Sequence, residues 1–140
     1  MSERSLRGNV VAALKPLHAV PVENPVWPGT PDVSYAGGWI ELKQVEQWPA
    51  RAETVLKIDH YTPQQRIFAV KERRAGGACW MLLQVGRREL LLFDGAVAAR
   101  FLSKTWRRLD CIENAVLYTD QGIRSFGLVE ALRDGRGSGD

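Results

Sequence analysis

The apolar positions of the chain follow two different periods, and the switches between them mark out its elements. From Ser2 to Leu14 the apolar residues Leu6, Val10, Ala13 and Leu14 fall on one face of a helix. Ser2 supplies an N-cap, and Glu3 is an acid just inside it. Pro16 stops that helix. "HAVPVEN" then reads as a short extended segment. "PVWPGTP" reads as a loop, because its prolines and glycine leave no room for regular structure.

From Asp32 the period shortens. "DVSY" and "WIELK" are rich in β-branched and aromatic residues, and the "AGG" between them predicts a hairpin with a tight turn. "VEQWPARAETVLKIDHY" is polar and broken by Pro49, so it reads as a loop over one face. "TPQQRIFAVKERRAGG" carries a helix signature, with Thr62 as N-cap, Pro63 at the first helical position and Gly76 as the stop. Ile67, Phe68 and Val70 are its expected buried side. "ACWMLLQVG" and "ELLLFD" predict two strands around a turn holding Arg87 and Arg88, and "GAVAARFLSKTW" predicts a helix.

Beyond Arg107 the pattern weakens. "AVLYTD" reads as a late strand and "SFGLVEALRDG" as an edge element or short helix. The alternation of helices and strands predicts an α/β domain, with helices packed on a central mixed sheet. One domain is expected over 1–133, followed by a flexible tail at 134–140.

Composition narrows the class. A chain of 140 residues, 45% apolar and 25% charged, has the balance of a soluble globular domain. No run is as long as a membrane span, and the N-terminus lacks the apolar core and cleavage site of a secretion signal. Cys79 and Cys111 are too few for a disulfide framework and do not form a CxxC pair. With only His18 and His60 beside them, a structural zinc site is not expected, and a reducing cytoplasm suits the chain. A net charge of +3 permits a nucleic-acid partner without requiring one.

The chemistry-bearing stretch is "GTPDVSYAGGWIELK", Gly29 to Lys43. On a strand, residues two apart share a face, so Glu41 and Lys43 project together while Leu42 turns the other way. If Asp32 opens the partner strand, the hairpin folds it back toward Glu41. Two carboxylates and an ammonium then converge. One or two carboxylates with water suffice for Mg²⁺, which can activate water and offset charge on a phosphate. A neighbouring lysine can hold the attacking water. The alternative is a solvated strand end carrying an ordinary ion pair.

These residues resemble the signature of the PD-(D/E)xK nuclease superfamily, here Pro31-Asp32, then Glu41-Leu42-Lys43. The opening "SERSL" resembles the "ER-x-L" context of an acidic residue on the first helix. "TPQQR" resembles the Gln-bearing helix that follows the hairpin. "GTPD", "ELK" and "TPQQ" look closest to the virus-type replication-repair (VRR-NUC) group and to archaeal-type Holliday junction resolvases, as in a phage or prophage enzyme. The resemblance spans Glu3 to Asp94. It implies a restriction-endonuclease-like core of order αβββαβ. It also implies a Mg²⁺ site, with Mn²⁺ as substitute, held by Asp32, Glu41, the Leu42 carbonyl and Glu3. Lys43 would be the catalytic lysine. Gln65, with Gln64 as fallback, would support it or contact the phosphate.

The expected activity is metal-dependent hydrolysis of DNA phosphodiester bonds, selective for a Holliday junction or other branched DNA, by a homodimer in the cytoplasm (a host's, if phage-encoded). Lys57, Arg66, Lys71, Arg73 and Arg74 give the Gln helix a basic flank, read as phosphate contacts or as a solvated face. Trp27, Trp39 and Trp48 lie around the motif, where they could stack on bases or cover an opened junction; core packing is the reading for Trp39 on its strand, while Trp27 and Trp48, in loops, are more open. Glu23 and Glu46 are extra acids, for a second metal or for solvent. His60 reads as structural or exposed. The "ELLLF" strand and "AVAARFL" helix suit either a dimer interface or the core. The other function class is a non-catalytic nucleic-acid-binding or assembly protein on the same fold.

Overall fold

The computed structural model of the protein describes residues 3–134. Its frame is one six-stranded mixed sheet in sequence order: β1 (Val20–Pro21), β2 (Val33–Tyr35), β3 (Gly38–Val45), β4 (Ala78–Val85), β5 (Glu89–Asp94) and β6 (Leu117–Thr119). Neighbours are antiparallel except β3 and β4. A parallel pair needs a long crossover, and α2 (Pro63–Arg74) with the loop before it provides one. The helices α1 (Glu3–Ala13), α3 (Gly95–Phe101), α4 (Arg108–Asn114) and α5 (Leu128–Asp134) complete the chain. The α/β class and helix-flanked mixed sheet are as the sequence predicts. The tail after Asp134 lies outside the described residues.

Two apolar layers hold the sheet. On one face Leu6 and Val10 of α1 and Leu14 just after it, spaced by four, meet Ile40, Leu42, Trp80 and Leu82, with Leu128 and Leu132 of α5 beside them. Each such aliphatic side chain stabilises the fold by about 1.5–3 kcal/mol. On the other face Met81, Leu83, Leu91 and Phe93 pack with Ala98, Leu102, Trp106 and Cys111. The strand β4 is buried on both sides, which is why "ACWMLLQV" is almost continuously apolar. "ELLLF" is core too, with Leu90 to Phe93 fully buried.

The β2–β3 hairpin closes with Tyr35 opposite Gly38, leaving Ala36 and Gly37 as the turn. Gly37 has φ +122, a conformation that side chains disfavour. The α2 helix starts as its sequence predicts. The Gln65 N–H donates to Thr62 Oγ1 at 3.2 Å, and the Thr62 N–H donates to Gln65 Oε1 at 2.9 Å. Together they form a capping box.

The inward stripe of α2 differs from the one expected. Ile67 is 52% exposed, and Phe68 and Val70 are half-buried. The stripe that faces inward is Arg66, Ala69 and Arg73, at helical spacing. Ala69 is small enough to lie close to Gly95, and long arginine stems cover apolar surface. The helix expected over 95–106 ends at Phe101, because Leu102 is extended and Ser103 takes φ +64. The α4 helix was not expected. It is short and buries only Cys111, too little apolar periodicity to stand out.

Candidate functional site

Asp32 stands where the β2 backbone ladder ends. The register Val33 to Ile40 sets it opposite Glu41. Its Oδ2 accepts the Leu42 N–H at 2.9 Å, so a side chain continues the ladder for one more bond. In such a pairing the N–H and C=O of one residue leave the strand at the same edge. The Leu42 carbonyl is therefore directed to the Asp32 side of β3. The main-chain oxygen of Asp32 accepts from Val22 N at 2.8 Å, which fixes the residue from the other direction.

Glu41 and Lys43 share the opposite face from Leu42, as the strand period requires. Neither is a solvated strand end: both are buried. Lys43 Nζ lies 3.6 Å from Glu41 Oε2 and donates to the His60 carbonyl at 2.9 Å. His60 has φ +63, a left-handed conformation that costs a non-glycine residue about 1 kcal/mol or more. Its imidazole is exposed. His60 thus serves the site through its carbonyl.

The crossover loop and the first turn of α2 close over this pair. Tyr61 is the residue before the cap and stacks under Arg66, whose guanidinium carbon is 3.8 Å from the ring centroid. Burial pushes the Tyr61 phenol far above its ordinary value; Arg66 opposes this and the Glu41 charge adds to it. Tyr61 and the His60 carbonyl were not singled out from the sequence. Tyr61 precedes the T-x-x-Q cap and Arg66 follows five positions later, the two places a hydrophobic staple would use, here joined by a cation–π contact.

Gly29 also reaches this corner. A Cβ there would lie 2.5 Å from the Gln64 carbonyl carbon and oxygen, and its φ is +89. The loop carrying it is seated directly on the first turn of α2.

The other candidate residues are placed as follows. Gln65 uses Oε1 for the helix cap, and Gln64 is exposed. Arg66 donates to the carbonyls of Ala99 at 2.8 Å and Leu102 at 3.0 Å, capping the end of α3. Arg73 is 3.1 Å from Asp94 Oδ2, with its guanidinium 4.7 Å from the Trp80 ring centroid. These two are engaged within the protein, whereas Lys57, Lys71 and Arg74 face solvent. The expected basic flank therefore holds three outward cations rather than five.

Trp39 is half-buried, edge-on to Phe68 at 5.5 Å. Trp48 is buried rather than open, and donates to Glu89 at 2.9 Å. Trp27 is 69% exposed. Glu46 is exposed, and Glu23 is exposed and pairs with Arg7 at 3.4 Å. The side chain of Glu3 lies outside the described residues.

The carboxylates of Asp32 and Glu41 with the Leu42 carbonyl are an oxygen donor set, which suits Mg²⁺ or Mn²⁺. Among the described residues no group of three or more His, Cys, Asp and Glu gathers for a metal. No helix among the described residues is long and apolar enough to cross a membrane.

Comparison with protein-family models, curated proteins and solved structures gave no match to this chain.

Proposed function

We propose that this protein is a metal-dependent DNA endonuclease of the PD-(D/E)xK type, selective for branched DNA and acting as a homodimer. One observation carries the reading. A Glu41–Lys43 pair is buried on β3, beside an Asp32 carboxylate fixed on the Leu42 N–H. Burying an ion pair contributes little net stability, and often less than apolar residues would. Chemistry gives such a pair a purpose that folding does not. The run α1, β1, β2, β3, α2, β4 supports the reading, since helix, three strands, helix, strand is the order that the resemblance implies.

In this reading Asp32, Glu41 and the Leu42 carbonyl hold the divalent ion. The ion would supply a polarised phosphoryl oxygen and a water of lowered pKa. Lys43 has three N–H donors. The His60 carbonyl takes one, and Glu41 draws the ammonium to its side, which fixes the side chain without exhausting it. The remaining capacity holds the attacking water in line and offsets charge growing on the phosphate. Asp32, tied at main chain and side chain, keeps its second oxygen in a set position. Lys71 and Arg74 supply salt-sensitive phosphate contacts.

The test uses labelled four-way junction, flap, single-stranded and linear duplex DNA, with Mg²⁺ or Mn²⁺, beside a Lys43→Ala variant. Metal-dependent cleavage that the substitution abolishes is expected, strongest on the branched substrates. Absence of cleavage on all four sinks the proposal, and binding without cleavage leaves a nucleic-acid-binding protein. Solution mass with and without junction tests the dimer, whose two sites would serve the two cut strands.

A further inference from the structure

We infer that Val26 and Trp27 form a stacking platform for an unpaired base of the DNA strand entering the site, an inference that rests on the nuclease reading above. Segment 22–32 is a compact loop whose neck is closed by Val22 N donating to the Asp32 carbonyl at 2.8 Å. At its tip Val26 is 73% and Trp27 69% exposed. Large apolar side chains at that exposure, side by side, run against the burial that drives folding.

The tip is nevertheless built to stay where it is. Asn24 Oδ1 accepts the N–H groups of Val26 and Trp27, each at 3.1 Å. Trp27-Pro28-Gly29-Thr30 is a turn with Pro second and a positive-φ Gly third, closed by Thr30 N to Trp27 O at 3.4 Å. Thr30 Oγ1 donates to the same carbonyl at 2.8 Å. Gly29 seats the turn on the Gln64 backbone, as described. Pro25 and Pro28 flank the exposed pair and restrict the chain around it. The ring is held ready, so little order is lost when something stacks on it.

Position and size decide what that is. The ends of a four-residue turn lie within about 7 Å, and Asp32 is two residues further on, at most about 7 Å more. Trp27 is thus within about four base steps of the candidate carboxylates, at ~3.4 Å per step. Trp27 leaves roughly 170 Å² of its surface open and the pair about 300 Å², well below the ~800 Å² a partner gives to a stable protein interface. A second protein copy would have to add the surrounding proline and polar surface to reach that area. A single base, flat and apolar on its face, matches the ring. In a paired duplex that face is already stacked, so the platform favours flaps, junction centres and single strands.

The experiment uses the full chain without Mg²⁺, in EDTA or Ca²⁺, so that binding is read without cleavage. DNA carries 2-aminopurine at an unpaired position of a flap, or at a paired position of a linear duplex. The intact protein should quench the flap probe. Trp27→Ala should abolish the quench and weaken flap binding about five- to a hundred-fold, with duplex binding unchanged, and Trp27→Phe should restore much of both. Equal quenching and affinity in Trp27→Ala overturns the inference while leaving the nuclease reading intact. Equal loss on flap and duplex overturns it too, because that marks a general or folding role. Loss of self-association in Trp27→Ala would instead assign the tip to a protein contact. Failure of the intact protein to bind any DNA removes the nuclease reading and the platform together.

Discussion

Replacing the buried ion pair by apolar residues separates its chemical role from its structural one. At 3.6 Å, and with an effective dielectric of about 20, the Glu41–Lys43 attraction is about 5 kcal/mol. The Lys43 bond to the His60 carbonyl adds ~1.5–3 kcal/mol, as a charged hydrogen bond does. Against this stands a desolvation cost of several kcal/mol for each ion. The terms nearly cancel. The double variant Glu41→Leu with Lys43→Met is therefore expected within about 1 kcal/mol of the parent, or more stable by up to ~4 kcal/mol. Lys43→Met alone leaves Glu41 without its cation, and should cost about 3–5 kcal/mol. Urea unfolding in EDTA measures both, and cleavage of junction DNA should vanish in both. If the double variant loses 3 kcal/mol or more, the pair is structural and the argument for catalysis from its burial fails. Adding Mg²⁺ should raise the melting temperature of the parent and not that of the double variant, since binding to the folded state alone stabilises it.

Three further outcomes follow from the geometry. Gly29→Ala puts a Cβ into the Gln64 backbone and strains a φ of +89, so a loss of about 1–3 kcal/mol is expected, with cleavage falling further than stability at a temperature where both proteins are folded. Gln65→Glu keeps a cap acceptor whereas Gln65→Ala removes it; melting should change little in the first and drop by ~1 kcal/mol in the second, and a cleavage defect in Gln65→Glu would show a role beyond capping. Burial pushes the Cys79 thiol from near 9 up to about 12, so its unfolded form ionises first as pH rises. Its contribution is whole below pH 9 and is lost between 9 and 12. At pH 10 the loss is about 1.4 kcal/mol, measured as a fall in unfolding free energy that Cys79→Ala lessens.

What was legible in the sequence was local. The Thr62-Pro63 start of α2, the Ala36-Gly37 turn and the strand period that sets Glu41 beside Lys43 are each written in residues adjacent or nearly so. What depended on distant segments was not legible. Nothing near Lys43 in the chain announces that the His60 carbonyl will hold it. Arg66 and Arg73 read as surface charge, because their inward partners, the carbonyls at the end of α3 and Asp94, lie 21 residues or more away in sequence. Trp48 read as open for the same reason: Glu89 and Arg108 come much later in the chain. Ile67 shows the converse error. Hydropathy alone placed it inside, and the packing of Ala69 near Gly95 rotated it out.

The neck at Val22 and Asp32 also bears on how such a protein can change over generations. The main-chain bond across it isolates the loop from the sheet, while the Asp32 side chain stays fastened to Leu42. Residues inserted between Glu23 and Asn24 would lengthen a tether already closed while sparing the Asn24 and Trp27–Thr30 turns, and each doubling of a loop's length costs only about 0.6 kcal/mol. The loop tip and the Asp32 side chain are thus mechanically decoupled at one residue. New reach or new preference can be tried at the tip while the carboxylate remains in register.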